Sequence, residues 1–341
     1  MTKQNIDRAP AHRQPIKFIK RSEMARHFTM AEAIDSMSRA FASLSAGDCY
    51  VPKRYIINTR DQSLTFLLKP AFIDDHDKSG IKILTQKNWN SIPGMPTILG
   101  IVLLIDNVTG EILSIMDGEF ITALRTGAAS GLATKLLSRE DSHKAALFGG
   151  GRQGRTQVEA IDAVRKLDKI WIFDKSRQQA ETFIKEMKDK ISAPMQIADD
   201  PSILKEVDIV CTATNSDRPL FYKKHIRKGT HINAVGSFKP DMQELDPQLI
   251  RASRIYLDDR ENVLNESGDF IRAIKDTRMN NPNIIGEIGE CVLKSIPRRT
   301  SANDITLFKS VGSAIQDLVV ASRIYDKSMT APFGKEVRLY E

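Results

Sequence analysis

The period of the hydrophobic and polar positions changes along the chain. From about residue 140 onward, short apolar runs alternate with amphipathic stretches. Lys144-Ala-Ala-Leu-Phe148 reads as a buried strand, and residues 154–166 as a helix with Val158, Ile161 and Val164 near one face. Lys169-Ile-Trp-Ile-Phe-Asp174 repeats the strand pattern and residues 176–190 the helical one. Further strands are expected at 195–198, 208–214, 231–235 and 254–258. Strands that alternate with helices in this way form a parallel sheet covered on both faces. Residues of about 140–305 therefore predict an α/β, doubly wound domain.

The preceding residues follow another pattern. Leu64–Leu68, Gly80–Leu84, Ile98–Asp106 and Glu111–Asp117 read as strands, and Asp106-Asn-Val-Thr-Gly110 as the turn of a hairpin between the last two. This part predicts a mixed α+β unit. A helix near 121–137 leads out of it into the sheet domain, and a C-terminal helix near 311–329 returns to it.

Composition narrows the class. The 341 residues are 41% hydrophobic, enough for well-packed domains, and no apolar run nears the roughly 20 residues that span a bilayer. No apolar signal-peptide core follows the first residues. Cys49, Cys211 and Cys291 are odd in number and far apart, which argues against a disulfide framework or a zinc site. No histidines stand at metal-ligand spacing. These features point to a cytoplasmic protein without a metal. The net charge is +7, yet residues 1–26 alone hold seven Lys/Arg against Asp7 and Glu23, which leaves only +2 for the rest. A solvated basic arm explains that bias, with an organelle-targeting or polyanion-binding arm as the alternative. Neither a nucleic-acid nor a membrane partner is expected.

The chemistry starts at Phe148-Gly-Gly-Gly-Arg-Gln-Gly154. Gly149, Gly151 and Gly154 fit G-x-G-x-x-G between a strand and a helix, the setting in which backbone approaches a pyrophosphate at a helix N-terminus. The next strand ends in Asp174, twenty residues past Gly154. A carboxylate there suits the ribose hydroxyls of NAD and repels a 2′-phosphate. Lys175 and Arg177 follow at once and keep NADP as the alternative. Outside this domain, Arg54, Lys82 and Arg125 are cations in separate segments, the last two set among apolar or small residues. Three such cations can converge on a carboxylate.

Several motifs in one order carry a resemblance. They are Lys82 with Asn88–Asn90, Gly94-Met-Pro-Thr97, Met116-Asp-Gly118, Ile121-Thr-Ala-Leu-Arg-Thr126 and the glycine loop. Val235-Gly-Ser-Phe-Lys-Pro-Asp-Met-Gln-Glu-Leu245, Gly286-Glu-Ile-Gly289 and Leu307-Phe-Lys-Ser-Val-Gly312 follow. Together they resemble the ornithine cyclodeaminase/mu-crystallin family over roughly residues 30–330, with the first ~25 residues outside the match. The resemblance implies a homodimer of two-domain subunits with a Rossmann-type domain for NAD(P) and a second domain for dimerisation and substrate. The expected division is a flexible basic arm at 1–25, a substrate and dimerisation domain at 26–130 plus 312–341, and the dinucleotide-binding domain at 131–311. By position, Arg54, Lys82 and Arg125 match residues that hold an amino-acid carboxylate. Thr97, Arg125, Arg152, Gln153, Asp174, Thr212, Val235, Gly236, Ser237 and Ser310 match cofactor contacts. Val311 lies where substrate meets nicotinamide.

Two departures bear on the reaction. Cyclodeaminases of the family carry an Asp two residues after the glycine of the strand-end turn, where this chain has Phe238. An acid they place before a Leu-Met-Pro run is Leu67 here. Burying the side-chain ammonium of ornithine without such partners costs several kcal/mol. The leading expectation is thus an oxidoreductase: hydride transfer at the C–N bond of a small α-imino or α-amino acid, with Lys82 and Arg125 as catalytic residues. A cyclic imine fits, its carboxylate at the cations and its body at Phe238 and Leu67. Ornithine cyclodeamination is the alternative, and small-ligand binding without turnover, as in mu-crystallin-like proteins, a further one.

Overall fold

A computed structural model describes residues 14–73, 77–87, 98–275 and 281–339. The first sheet is built largely from the N-terminal part. It contains β1 (Ile16–Ile19), β2 (Cys49–Tyr50), β3 (Tyr55–Asn58), β4 (Leu64–Ile73), β5 (Lys78–Lys87), β6 (Ile98–Asp106) and β7 (Ile112–Asp117). Strands β4 to β7 are an antiparallel meander. The Asp106 carboxylate accepts from the Val108 and Thr109 amides and shapes the β6–β7 turn, which Gly110 closes at φ 75°. Helices α1 (Arg21–His27) and α2 (Met30–Ala46) precede the meander. Thr29 and Glu32 form a capping box at the start of α2, and Gly47 ends it in the left-handed region.

Helix α3 (Gly118–Leu137) leads to the second sheet. There β8 (Lys144–Phe148), α4 (Arg152–Asp162), β9 (Lys169–Phe173), α5 (Arg177–Met187), β10 (Met195–Ile197) and β11 (Ile209–Thr212) follow in turn. A short strand, β12 (Asp217–Phe221), precedes β13 (His231–Ala234) and pairs with β14 (Gln243–Leu245) apart from the main sheet. Then come α6 (Pro247–Arg251), β15 (Arg254–Leu257), α7 (Arg260–Glu266), α8 (Gly268–Lys275), β16 (Ile284–Glu287), α9 (Ile288–Val292) and β17 (Thr306–Lys309). The order is β10-β9-β8-β11-β13-β17-β15-β16, with every pair parallel. Strand order reverses between β8 and β11, the switch point at which α/β sheets bind ligands. The α/β, Rossmann-type fold class read from the sequence is present, with a second sheet beside it. Helix α10 (Ala314–Thr330) then returns to the first sheet, and β18 (Lys335–Val337) closes its edge beside β1.

The expected flexible arm at 1–25 is corrected in its second half. Strand β1 lies between β7, parallel, and β18, antiparallel, and Ile16 and Ile19 are buried. Counting charge hid the apolar positions of Ile16-Lys-Phe-Ile19. Lys17 itself is buried and donates to the Ser328 carbonyl at 2.6 Å, so one of the counted cations serves the fold. Residues 1–13 lie outside the described residues. Helix α3 runs through the expected boundary at 130/131, and one core cluster joins α2, α3 and α10 to Tyr256, Ile288 and Phe308 of the second half. Because Ile19 fills that core, Ile19→Ala is expected to cost about 2–4 kcal/mol in chemical denaturation. A solvated arm would lose nothing measurable.

Candidate active site

A cleft of about 1490 Å³ runs between the two sheets, lined from Arg54, Lys82 and Arg125 at one side to the glycine loop and Asp174 at the other. On the second sheet the loop follows β8 and opens α4. Gly149 has φ 99°, and a side chain there would strike the Ala213 carbonyl at 2.6 Å; at Gly154 one would strike the Gly149 carbonyl. Gly151, by contrast, caps α4 and faces open space in the cleft. Asp174 closes the loop by accepting from the Gly150 amide at 2.8 Å and the Ser176 amide at 2.9 Å. The buried Gln153 Oε1 lines the same cleft and has no hydrogen-bond partner among the described residues. A bare helix N-terminus, a carboxylate at the end of β9 and an unanswered buried amide oxygen fit a dinucleotide.

Not every expected cofactor residue reaches the cleft. Arg152, Val235, Gly236, Ser310 and Val311 line it, and Arg152 pairs with Glu119 of α3. Thr212 and Ser237 lie one layer behind, both bonded to the buried Glu244. Arg177 is directed along α5 to Glu181 at 3.3 Å and does not line the cleft. Thr97 lies outside the described residues, as do Asn88–Asn90 and the residues from Gly94 to Thr97.

Glu244 carried no role in the sequence reading. Its carboxylate accepts from Thr212 Oγ1, the Thr214 amide and hydroxyl, and the Gly236 and Ser237 amides, at 2.7–3.1 Å. It thus ties together the loops after β11 and β13 that line the cleft. Burial pushes its pKa up, against the pull of nearby Lys309. Lys309 in turn pairs at 3.0 Å with Asp269, which accepts from the Glu244 and Leu245 amides. The signal was faint: acids inside Met-Gln-Glu-Leu245 and Ser-Gly-Asp-Phe270 look solvated until the fold surrounds them.

The cationic side comes from the first sheet and two helices. Lys82 of β5 is 2% exposed, and its Nζ sits 2.5 Å from Asp317 Oδ2 and 3.2 Å from Thr122 Oγ1. Arg125 of α3 donates Nε to Asp317 Oδ1 at 3.2 Å and a terminal nitrogen to Gln316 Oε1 at 2.8 Å. Asp317, in the first turn of α10, therefore answers both cations. Burial alone would raise its pKa, but Lys82, Arg125 and Lys69 hold it below the usual carboxylate range. Burial, and then the charge of Arg125, bring Lys82 down to about 8 against the pull of Asp317. Arg54 lines the cleft too and is ion-paired with Glu266 of α7.

A further carboxylate holds the turn between β17 and α10. Asp258 accepts from Ser310 Oγ at 2.7 Å and from the Val311 and Gly312 amides at 3.1 and 2.8 Å. Gly312, at φ 83°, brings its backbone against the Arg125 guanidinium, where a side chain would meet a terminal nitrogen at 2.5 Å. Leu67, Leu84, Gln86 and Phe238 complete the wall beside the cations. Lys69, which the sequence reading passed over, also lines it.

Comparison with known proteins agrees with this construction. The chain matches the profile of the ornithine cyclodeaminase/mu-crystallin family over residues 16–331, which takes in part of the stretch expected to lie outside the match. It is 33% identical over 321 residues to a Delta(1)-pyrroline-2-carboxylate reductase of Bacillus cereus, covering 94% of this chain and 98% of that protein. The Delta(1)-pyrroline-2-carboxylate reductase of Thermococcus litoralis, solved with NADH and L-proline, superposes with a TM-score of 0.89 at 37% identity over 94% of this chain and all of the other. An archaeal alanine dehydrogenase dimer with bound NAD gives a TM-score of 0.87 at 27% identity, over 95% and 99% of the two chains.

The Asp174 carboxylate, at the end of β9, is expected to set the cofactor preference. Asp174→Ser is expected to lower the ratio of NADH to NADPH affinity by about tenfold or more, because it removes a carboxylate that repels the 2′-phosphate. Titration of the nucleotide's own fluorescence checks this; an unchanged ratio would place the adenosine elsewhere.

Proposed function

The chain belongs to the ornithine cyclodeaminase/mu-crystallin family, and on that premise we propose that it reduces small α-imino acids, a five- or six-membered cyclic imine carboxylate above all. It is an NAD-linked oxidoreductase of imino and amino acids. The observation that carries the finer reading is the meeting of Lys82 and Arg125 on Asp317 in the same cleft as the glycine loop and Asp174. Bound NADH supplies the hydride that goes to the imine carbon. The residues of the chain do the rest. Arg125, locked by Asp317 and Gln316, presents a fixed guanidinium to the substrate carboxylate. Lys82 delivers the proton that the imine nitrogen takes, and Asp317 holds the ammonium in place until then. Leu67, Leu84 and Phe238 accept an apolar ring and offer no partner to a side-chain ammonium, which favours reduction over cyclodeamination.

The outer face of the first sheet supports a homodimer. Register aligns Tyr55, Leu68, Ile83 and Ile101 across β3 to β6, and Tyr55, Ile57, Leu99, Ile101 and Phe72 are exposed. A contiguous apolar face of this kind marks an interface. Cys211 and Cys291 are buried free thiols, consistent with a cytoplasmic setting.

Purified protein with NADH and preformed pyrroline-2-carboxylate or piperideine-2-carboxylate should lose absorbance at 340 nm. Ammonia release from ornithine with no change at 340 nm would instead establish the lyase. Lys82→Ala is expected to lower kcat/KM about 10²–10⁴-fold. Reduction needs Lys82 protonated, so kcat/KM for the imine should fall as pH rises through about 8, and amino-acid oxidation should rise over the same range. A flat reduction profile across that window would remove Lys82 as the proton donor. In light scattering, Ile57→Glu should convert a wild-type dimer to monomer; an unchanged mass would move the interface to another face.

A further inference from the structure

The register of the first sheet sets three cations in one cross-strand row. Lys69 of β4 stands directly opposite Lys82 of β5. Tyr55 pairs with Leu68, and Arg54, the residue before β3, lies close enough to Lys69 on its other side for their charges to act on each other. All three line the cleft. Like charges facing one another across strands repel, so such a row persists only where anions lie over it. The protein supplies two of them: Asp317 to Lys82 and Glu266 to Arg54. Arg125, above the row, also leans on Asp317. The middle cation has no carboxylate within ion-pair distance among the described residues. Its Nζ donates to the Gly312 carbonyl at 3.3 Å, a long and neutral contact. Although the side chain as a whole is half-buried, its amine end is enclosed, and enclosure together with Lys82 and Arg54 pushes its pKa well down. One residue pair along the same face, Leu67 opposite Leu84 begins the apolar wall.

We propose that Lys69 is a substrate-binding residue whose Nζ takes the substrate carboxylate at the centre of the cation row, with the apolar body of the substrate lying along Leu67 and Leu84. An arriving carboxylate provides the third anion, and the Ser310–Gly312 turn, held by Asp258, sets the distance between Lys69 and Arg125. The inference rests on the reading that the ligand is a small amino or imino acid. It adds an anchor that none of the positions matched by family resemblance includes, and it makes the carboxylate grip depend on four cations where three were expected.

The test is a ligand-by-residue cycle on the NADH-loaded full chain. Binding of L-proline and of L-prolinamide, which lacks the anion, is followed by nicotinamide fluorescence in wild type, Lys69→Met and Lys69→Arg. Wild type should prefer L-proline, and Lys69→Met should shrink that preference by about tenfold or more, since a charge-assisted hydrogen bond is lost for one ligand alone. Lys69→Arg should restore most of it. Equal weakening of both ligands assigns Lys69 a merely structural part and overturns the proposal, as does an unchanged preference or a wild type that binds L-proline no better than its amide. Unchanged NADH affinity in each variant confirms that it has folded. The binding cycle needs no turnover. Imine reduction with an unchanged preference would keep the oxidoreductase and discard the anchor; a shrunken preference without imine reduction would do the reverse.

Discussion

The site depends on one carboxylate. Asp317 lies buried at the first turn of α10 and answers Lys82 from β5 and Arg125 from α3 together. Two cations removed from water and facing the same cleft would otherwise repel each other and lose their hydration. With the carboxylate between them the cations can be held enclosed yet charged, the condition an anionic substrate needs. The same contact fixes where three elements meet: a strand of the meander, the helix linking the two sheets, and the returning C-terminal helix. The proposed chemistry and the joining of the two halves thus share an ion pair.

Burial makes such centres stiff. Asp258 and Glu244 repeat the device at the two ends of the second sheet's loops, each collecting several donors where no water competes. Asp258 holds the turn that carries Ser310 to Gly312 against Arg125, and Glu244 binds the ends of β11 and β13 around the strand-order switch. A cleft open enough for a dinucleotide and a small acid can therefore keep its walls fixed. Preorganised walls align substrate with cofactor at little entropic cost in the reacting complex. The Gln153 oxygen, unpartnered among the described residues, and the open space over Gly151 mark where this fixing stops.

The second sheet was legible in sequence because its strands are short, apolar on both faces and separated by amphipathic helices. Six of its eight strands stand where the pattern put them. The other two, β16 and β17, were read as motifs without a secondary structure. β17 is only Thr-Leu-Phe-Lys309, and its lysine is buried solely because Asp269 faces it. Strand β1 was hidden for a related reason: Lys17 within it reads as part of a charged arm until Ser328 supplies a buried acceptor. Single buried charges erase the apolar signature of a four-residue strand.

Periodicity, the glycine spacing and the acid after β9 are local, so the sequence alone determined the doubly wound sheet and its glycine loop, and it singled out Lys82 and Arg125 as cations set among apolar or small residues. These features depend on neighbours a few residues apart, within reach of strand and helix repeats. Which charges meet which was decided only by tertiary structure. Asp317 is 235 residues from Lys82, Glu266 is 212 from Arg54, and Lys69 joins their row through strand register alone. Pairing across such separations is set by how the sheets and helices close on one another. No local rule specifies the partner of a charge that only folding removes from water.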